Sequence, residues 1–322
     1  KERSKNPANH THKSIGMSSD GISAVGMTAL LVNRSRHLES TAAAPLYVDA
    51  ISPLFGMPAE VLERLEAAQA EVVKANGGKP EAPPYVTMGT RTWWFDQKMR
   101  EACAAGVRQV VTLGSGLDCR ALRLALPEDT RFVEVDEAAV LDWKIAKLAE
   151  HGQQYPEDRT TFLRGNYLKD LSLLDELERA GVRPSEPVFV LWEGNTMYLP
   201  TQPARDLLRD LLRRFPFSRV AFDYLRKTDA ASFKHDARVD VFMRCAAPDG
   251  SWLFQDPWDH AQAQPYCGYD LLEHLDFPGL LRLARGDALA AQLLNDFPAL
   301  ATSALAAIYG FCLVKPANTE EN

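Results

Sequence analysis

No stretch of this 322-residue chain approaches the roughly 20 consecutive apolar residues that would cross a bilayer. The polar N-terminus also lacks the cationic segment and apolar core of a secretory signal, so the sequence predicts a cytoplasmic protein with no membrane partner. A surplus of cations is missing as well. The 36 Lys and Arg stand against 43 Asp and Glu, a formal charge of -7, which argues against a polyphosphate partner such as nucleic acid. Cysteine is sparse: Cys103, Cys119, Cys245, Cys267 and Cys312 form no CxxC pair and meet no histidine at zinc-like spacing, so they read as reduced, small apolar fillers. There is no internal repeat.

What is present is a core-forming 46% of apolar residues, enough for one large globular domain. Residues 1–20 are polar and aperiodic and read as a disordered leader or tag remnant, with Met17 as a candidate start; residues 21–322 form the domain. "GISAVGMTALLVNRSRHLES" has helical spacing, and "YVTMGTRTWWFDQKMREACAAG" reads as a helix closed by Gly106. Strands and helices then alternate. "RQVVTLG", "RFVEVD", "TTFLRGNY", "PVFVLWEG" and "SRVAFDYL" are apolar, β-branched runs, each of the first four followed by a helical pattern, with a helix from about Asp118 and Thr201 as an N-cap. That alternation predicts a doubly wound α/β fold with a parallel sheet, and a ligand at the carboxyl ends of its strands. Between about 226 and 275 the alternation breaks. "SWLFQDPWDHAQAQPYCGYD" gathers Trp252, Phe254, Trp258, Tyr266 and Tyr269 into a lid-like insertion before the last strand, "AIYGFCLVKP"; an apolar plug under a loop is the plainer alternative.

The chemistry is concentrated in "VVTLGSGLDCRALRL". Gly114 lets the chain turn sharply out of a strand and Gly116 lets a ligand approach the backbone, while a third glycine is lacking because Cys119 stands there. Asp136 closes the next strand 20 residues beyond Gly116, the spacing at which a carboxylate reaches a ribose hydroxyl pair. Without the third glycine, and with Asp118 beside the turn, a pyrophosphate is poorly served. A sulfonium carrying an ammonium suits a site near Asp118, Glu134, Asp136 and Glu193.

Together "RQVVTLGSGLDCRALRL", "FVEVDEAAVLDWKIAKL" and "PVFVLWEGNTMYLP" resemble the leucine carboxyl methyltransferase family, including its bacterial branch of small-molecule O-methyltransferases. The resemblance runs from about Ala24 to the last strand. It implies a Rossmann-like methyltransferase dependent on S-adenosylmethionine, with Gly114 and Gly116 around the donor's amino-acid tail, Asp136 on its ribose and Glu193 near its sulfonium or ammonium. Arg91 of "MGTRTWWFD" matches the family arginine that pairs with a carboxylate. After the third strand, where the family has an acidic residue by the adenine, this chain has "GNYLKD", which would leave that contact to Asn166 with Tyr167 beside it.

Methyl transfer from a sulfonium needs alignment and exclusion of water rather than a metal. A carboxylate acceptor is ionised at neutral pH and would be oriented by Arg91, with Tyr198 as a further hydrogen-bonding group. A phenol or alcohol acceptor needs a base, for which His235, His260 and His274 are the candidates. The aromatic insertion suggests a planar or apolar small molecule, and the small-molecule branch suggests natural-product or polyketide chemistry. A nicotinamide-dependent oxidoreductase on the same sheet is the rival from another reaction class.

Overall fold

In the computed structural model, which describes residues 24–75, 78, 82–169, 172–226, 237–246, 254, 258, 260–298, 300 and 309–317, three helices precede the sheet. They are α1 (Ala24–Ser40), α2 (Ala59–Ala75) and α3 (Pro84–Ala104). The apolar run after Gly106 is β1 (Gln109–Leu113), buried along its whole length because a central parallel strand is covered on both faces. A one-turn helix, α4 (Arg120–Arg123), leads to β2 (Arg131–Asp136), α5 (Ala138–Glu150), β3 (Thr160–Arg164), α6 (Leu173–Arg179), β4 (Val188–Trp192), α7 (Thr201–Arg214) and β5 (Ser218–Leu225). Beyond these lie α8 (Ala237–Ala246), α9 (His260–Cys267), β6 (Tyr269–Asp276), α10 (Phe277–Arg285), α11 (Asp287–Asp296) and β7 (Tyr309–Pro316).

The described strands form one seven-stranded sheet in the order β3-β2-β1-β4-β5-β7-β6. The first five run parallel, and β7 enters antiparallel between β5 and β6. The helix patterns explain how it is covered. In α7, Ala204, Leu208, Leu211 and Leu212 recur at helical spacing and pack on the face presented by Val111, Val190 and Trp192. Trp94, Phe95 and Met99 of α3 cover the other face with Val110 and Phe189. The result is a doubly wound sheet whose order reverses between β1 and β4.

Four expectations need correction. The helix after the glycine turn begins at Arg120 rather than Asp118, because the Asp118 carboxylate is turned back onto the Arg120 N–H at 2.7 Å. Thr201 is the first residue of α7 rather than its cap; Pro200 holds the extended conformation before it (φ −53°, ψ 126°) and no side chain caps the end. The sheet is mixed, because β7 runs antiparallel to both its neighbours, β5 and β6. The insertion is shorter than 226–275, because Tyr269–Asp276 pairs with β7 as an edge strand.

Candidate active site

Where the strand order reverses, the turns after β1 and β4 diverge and leave a crevice at the carboxyl ends of the strands. A cavity of about 440 Å³ occupies it, with Gly114, Gly116, Asp136, Glu193, Arg91 and Tyr198 on its wall. Six of the eight site residues expected from the sequence thus converge.

The turn after β1 is fixed by charge from several sides. Gly114 and Gly116 take left-handed backbone conformations (φ 62° and 47°). The Gly116 N–H donates to Asp136 Oδ2 at 2.6 Å, tying the turn to the end of β2. The Arg36 guanidinium of α1 donates to the Leu117 carbonyl. Lys144, on the buried face of α5 between Leu141 and Leu148, donates to Ser115 Oγ and to the Asp118 carbonyl, both at 3.2 Å, and pairs with Glu134. Burial opposes the Lys144 charge most strongly, but Glu134, through charge and hydrogen bond, together with Cys119 and Asp118 outweighs it and holds the ammonium's pKa above its ordinary value. For Asp118, burial is likewise outweighed, chiefly by the Arg120 charge with which it forms an ion pair, and its pKa falls to about 2. Glu134 is therefore committed to Lys144 and lies off the cavity wall, whereas Asp118, tied to Arg120, lines the cavity with Asp136 and Glu193.

Across the cavity, α3 supplies Arg91. Its Nε meets Glu193 Oε1 at 3.0 Å and its Nη1 meets the Tyr309 hydroxyl at 2.9 Å and Asp223 Oδ2 at 3.6 Å. Glu193 is also held by Arg120 Nη2 at 2.7 Å, and Arg120 is anchored on Asp96 at 2.6 Å. Each carboxylate oxygen of Glu193 thus faces its own guanidinium. Behind them Asp223 accepts the Gly194 N–H at 2.7 Å through Oδ1, while Oδ2 lacks a hydrogen-bond partner. Burial raises its pKa, Arg91 opposes and Glu193 adds to the rise, leaving it at about 6.

Tyr198 stands on the cavity wall with its ring stacked on Phe254 at 5.3 Å. Burial pushes its pKa, and that of Tyr309, well above the ordinary phenol value. Two expected residues lie elsewhere. Tyr167 is 8% exposed and points into the sheet's covering layer, where Trp192 Nε1 donates to its hydroxyl at 3.1 Å and it donates to Asn195. Asn166 folds back within its turn, its Oδ1 accepting the Leu168 N–H at 3.0 Å. Neither side chain is among those that line the cavity; Tyr167 positions Asn195, whose side chain lies directly under Gly114.

The aromatic insertion is also dispersed. Trp258 packs against Trp192, Phe222 and Tyr224, Tyr269 lies buried in β6, and Tyr266 is exposed beside Arg205 and Arg209. Phe254 alone of the described members lines the cavity, and Trp252 lies outside the described residues. His274 meets the Tyr224 hydroxyl at 3.1 Å, off the cavity wall; His235 and the side chain of His260 lie outside the described residues. All five cysteines are buried thiols outside any disulfide.

Residues 29–212, which include the glycine turn, Asp136, Arg91 and Glu193, match the family model described as leucine carboxyl methyltransferase. The chain belongs to the leucine carboxyl methyltransferase family. A relative from Mycolicibacterium paratuberculosis, provisionally named an S-adenosyl-L-methionine-dependent methyltransferase, is 32% identical over 273 residues, covering 74% of this chain and 85% of the relative. A similarly named protein of Mycobacterium tuberculosis strain H37Rv is 36% identical over 231 residues, 69% of this chain and 72% of that one. Two solved structures share the fold. A DUF574 family protein from Streptomyces avermitilis superposes with a TM-score of 0.52 at 18% identity, over 88% of this chain and 96% of that one. A provisionally named methyltransferase from Thermobifida fusca also gives 0.52, at 16% identity over 83% and 98%. As a leucine carboxyl methyltransferase family member, the protein is an S-adenosylmethionine-dependent methyltransferase. The nicotinamide alternative falls with that membership.

The residues fit the donor this family uses. Gly114 and Gly194 let the two turns pack directly on the residues behind them, since a Cβ at Gly114 would lie 2.5 Å from Asn195 and one at Gly194 2.9 Å from Arg91. The Arg91–Glu193 pair offers one charge of each sign, the complement of an α-amino acid's ammonium and carboxylate. The residues that sequence reasoning missed are those that hold this pair and the turn: Arg36, Asp96, Arg120, Lys144, Asn195, Asp223 and Tyr309.

Proposed function

We propose that this methyltransferase esterifies the carboxylate of a small-molecule acid in the cytoplasm, as a step of natural-product assembly, and that the cavity at the β1–β4 reversal is where it does so. Arg91 would take the donor's carboxylate and Glu193 its ammonium, with Asp136 accepting from the ribose hydroxyls. When bound, S-adenosylmethionine supplies a sulfonium-activated methyl group, whose transfer to a carboxylate oxygen leaves a thioether and releases no proton. Arg120 keeps Glu193 in place when Arg91 turns to the incoming carboxylate, because it holds the other carboxylate oxygen.

The observation that carries the ester reading is the state of every proton-accepting side chain on the cavity wall. Asp118 is committed to Arg120, Glu193 to two arginines, and Asp136 to the N–H groups of Gly116 and Glu137. Tyr198 and Tyr309 hold their protons, and no histidine among the described residues lines the cavity. An alcohol or phenol needs a base there, whereas a carboxylate arrives ionised. Tyr198, on the cavity wall, is placed to donate to an acceptor oxygen, and the helices over the cavity would exclude water.

The test is to incubate the protein with methyl-labelled S-adenosylmethionine and candidate acids and treat the product with mild alkali. Label released as methanol is expected; label retained in an alkali-stable product would overturn the ester in favour of an ether and a histidine base.

A further inference from the structure

The cavity does not end at its polar floor. Away from the strand ends it continues under a wall built by α1, α2 and α8, which Leu31, Leu65, Val72, Val73, Val239 and Val241 line. The sequence pattern that made these helices amphipathic therefore serves two purposes, since the same apolar faces pack α1 and α2 on α8 and line the chamber. Its polar interruptions are Thr28, Arg34, Ser35, Arg36 and Gln69, of which Ser35 is spent on the Leu31 carbonyl of its own helix at 3.1 Å and Arg36 on the Leu117 carbonyl.

This wall is aliphatic. A planar acceptor gains from offset or edge contacts with aromatic rings, but the described aromatic side chains on the cavity are Tyr198 and Tyr309 at the floor and Phe254, whose ring is already stacked on Tyr198. Branched aliphatic side chains from three helices offer non-directional burial along an irregular surface, which suits a chain able to adapt its torsions. We propose that the acid methylated here carries a flexible aliphatic chain, its carboxylate at the floor beside Tyr198 and its hydrocarbon between α1, α2 and α8. This rests on the ester reading above and names the class of acid.

The test uses the whole chain with methyl-labelled S-adenosylmethionine and straight-chain saturated acids from butanoate to hexadecanoate, set against benzoate and naphthoate. Binding of the same acids to the protein loaded with S-adenosylhomocysteine is followed by calorimetry. Both kcat/KM for the alkali-labile product and acid affinity are expected to rise about fourfold per added methylene, the factor given by about 0.8 kcal/mol per buried CH₂, and to level off once the chamber is full. Leu65→Phe should move the levelling to shorter acids, lowering the hexadecanoate-to-octanoate ratio at least tenfold. No dependence on chain length, or esters formed faster on the aromatic acids, overturns the aliphatic assignment alone. Bound S-adenosylhomocysteine with no alkali-labile product from any acid overturns the ester reading and this inference together.

Discussion

Replacing Gly114 by Ala puts two separable costs on one position. The backbone there has φ 62°, where an L-residue loses about 1–2 kcal/mol through its Cβ and the following carbonyl. The new Cβ would also lie 2.5 Å from Asn195 Cγ and Nδ2. Asn195 cannot simply swing away, since its Oδ1 accepts from Tyr167 and from Trp192 Nε1, the latter at 3.3 Å. Moving it forfeits those hydrogen bonds, at about 0.5–1.5 kcal/mol each. The total is about 2–5 kcal/mol. If the turn keeps its shape, the cost appears as lost folding stability; if the turn relaxes, it appears as lost donor affinity. Urea unfolding and calorimetric titration of S-adenosylhomocysteine, taken together on Gly114→Ala, should therefore sum to that range. Adding Asn195→Ala should recover the steric part and leave the backbone part, a coupling of about 1–3 kcal/mol between the two positions. A sum below about 1 kcal/mol, or no coupling, would refute the view that this turn is held against Asn195.

Glu193→Gln keeps the shape of the Arg91 and Arg120 contacts but removes the charge offered to an ammonium, and should weaken S-adenosylhomocysteine binding roughly 10- to 100-fold, the range set by a charge-assisted hydrogen bond of about 1.5–3 kcal/mol; unchanged affinity in the titration would remove Glu193 from the donor site. Lys144→Met strands Glu134 in the interior and should cost about 3–5 kcal/mol in urea unfolding, whereas Lys144→Met with Glu134→Leu should recover most of it; a single-variant cost below 1 kcal/mol would mean that the pair does not hold the turn. Asp223 has a folded pKa of about 6 against an unfolded value near 3.8, so the native state binds the extra proton and stability falls as pH rises through that window. The stability of wild type relative to Asp223→Asn should drop by about 1.4 kcal/mol between pH 5 and pH 7.5, and a constant difference would contradict the raised pKa.

The parts legible in the sequence are those that lie close together along it. Gly114, Gly116 and Asp136 belong to one β–α–β unit, and the 20-residue separation of Gly116 and Asp136 is the hydrogen bond that joins them. Glu193 was readable because it ends an apolar strand. What was hidden depends on distant pairing: Arg91 and Tyr309 are 218 residues apart, and the chamber exists only because α2 packs on α8. Lys144 did carry a signal, since a cation at the helical spacing of Leu141 and Leu148 sits on the buried face and requires a partner. The orientation of Tyr167 is not legible in the sequence, because residues just past a strand end turn inward or outward according to the turn, and this one is drawn in by Trp192 and Asn195. The edge strand Tyr269–Asp276 escaped notice because its residues are largely exposed or half-buried, so it carries no continuous apolar run.

A crystal structure with S-adenosylhomocysteine bound is the most direct test of the donor site. The amino-acid tail should lie between Arg91 and Glu193, with their 3.0 Å contact opened, and the ribose should sit on Asp136. Density for the ligand elsewhere, or at this cavity with the Arg91–Glu193 pair still closed, would contradict the assignment.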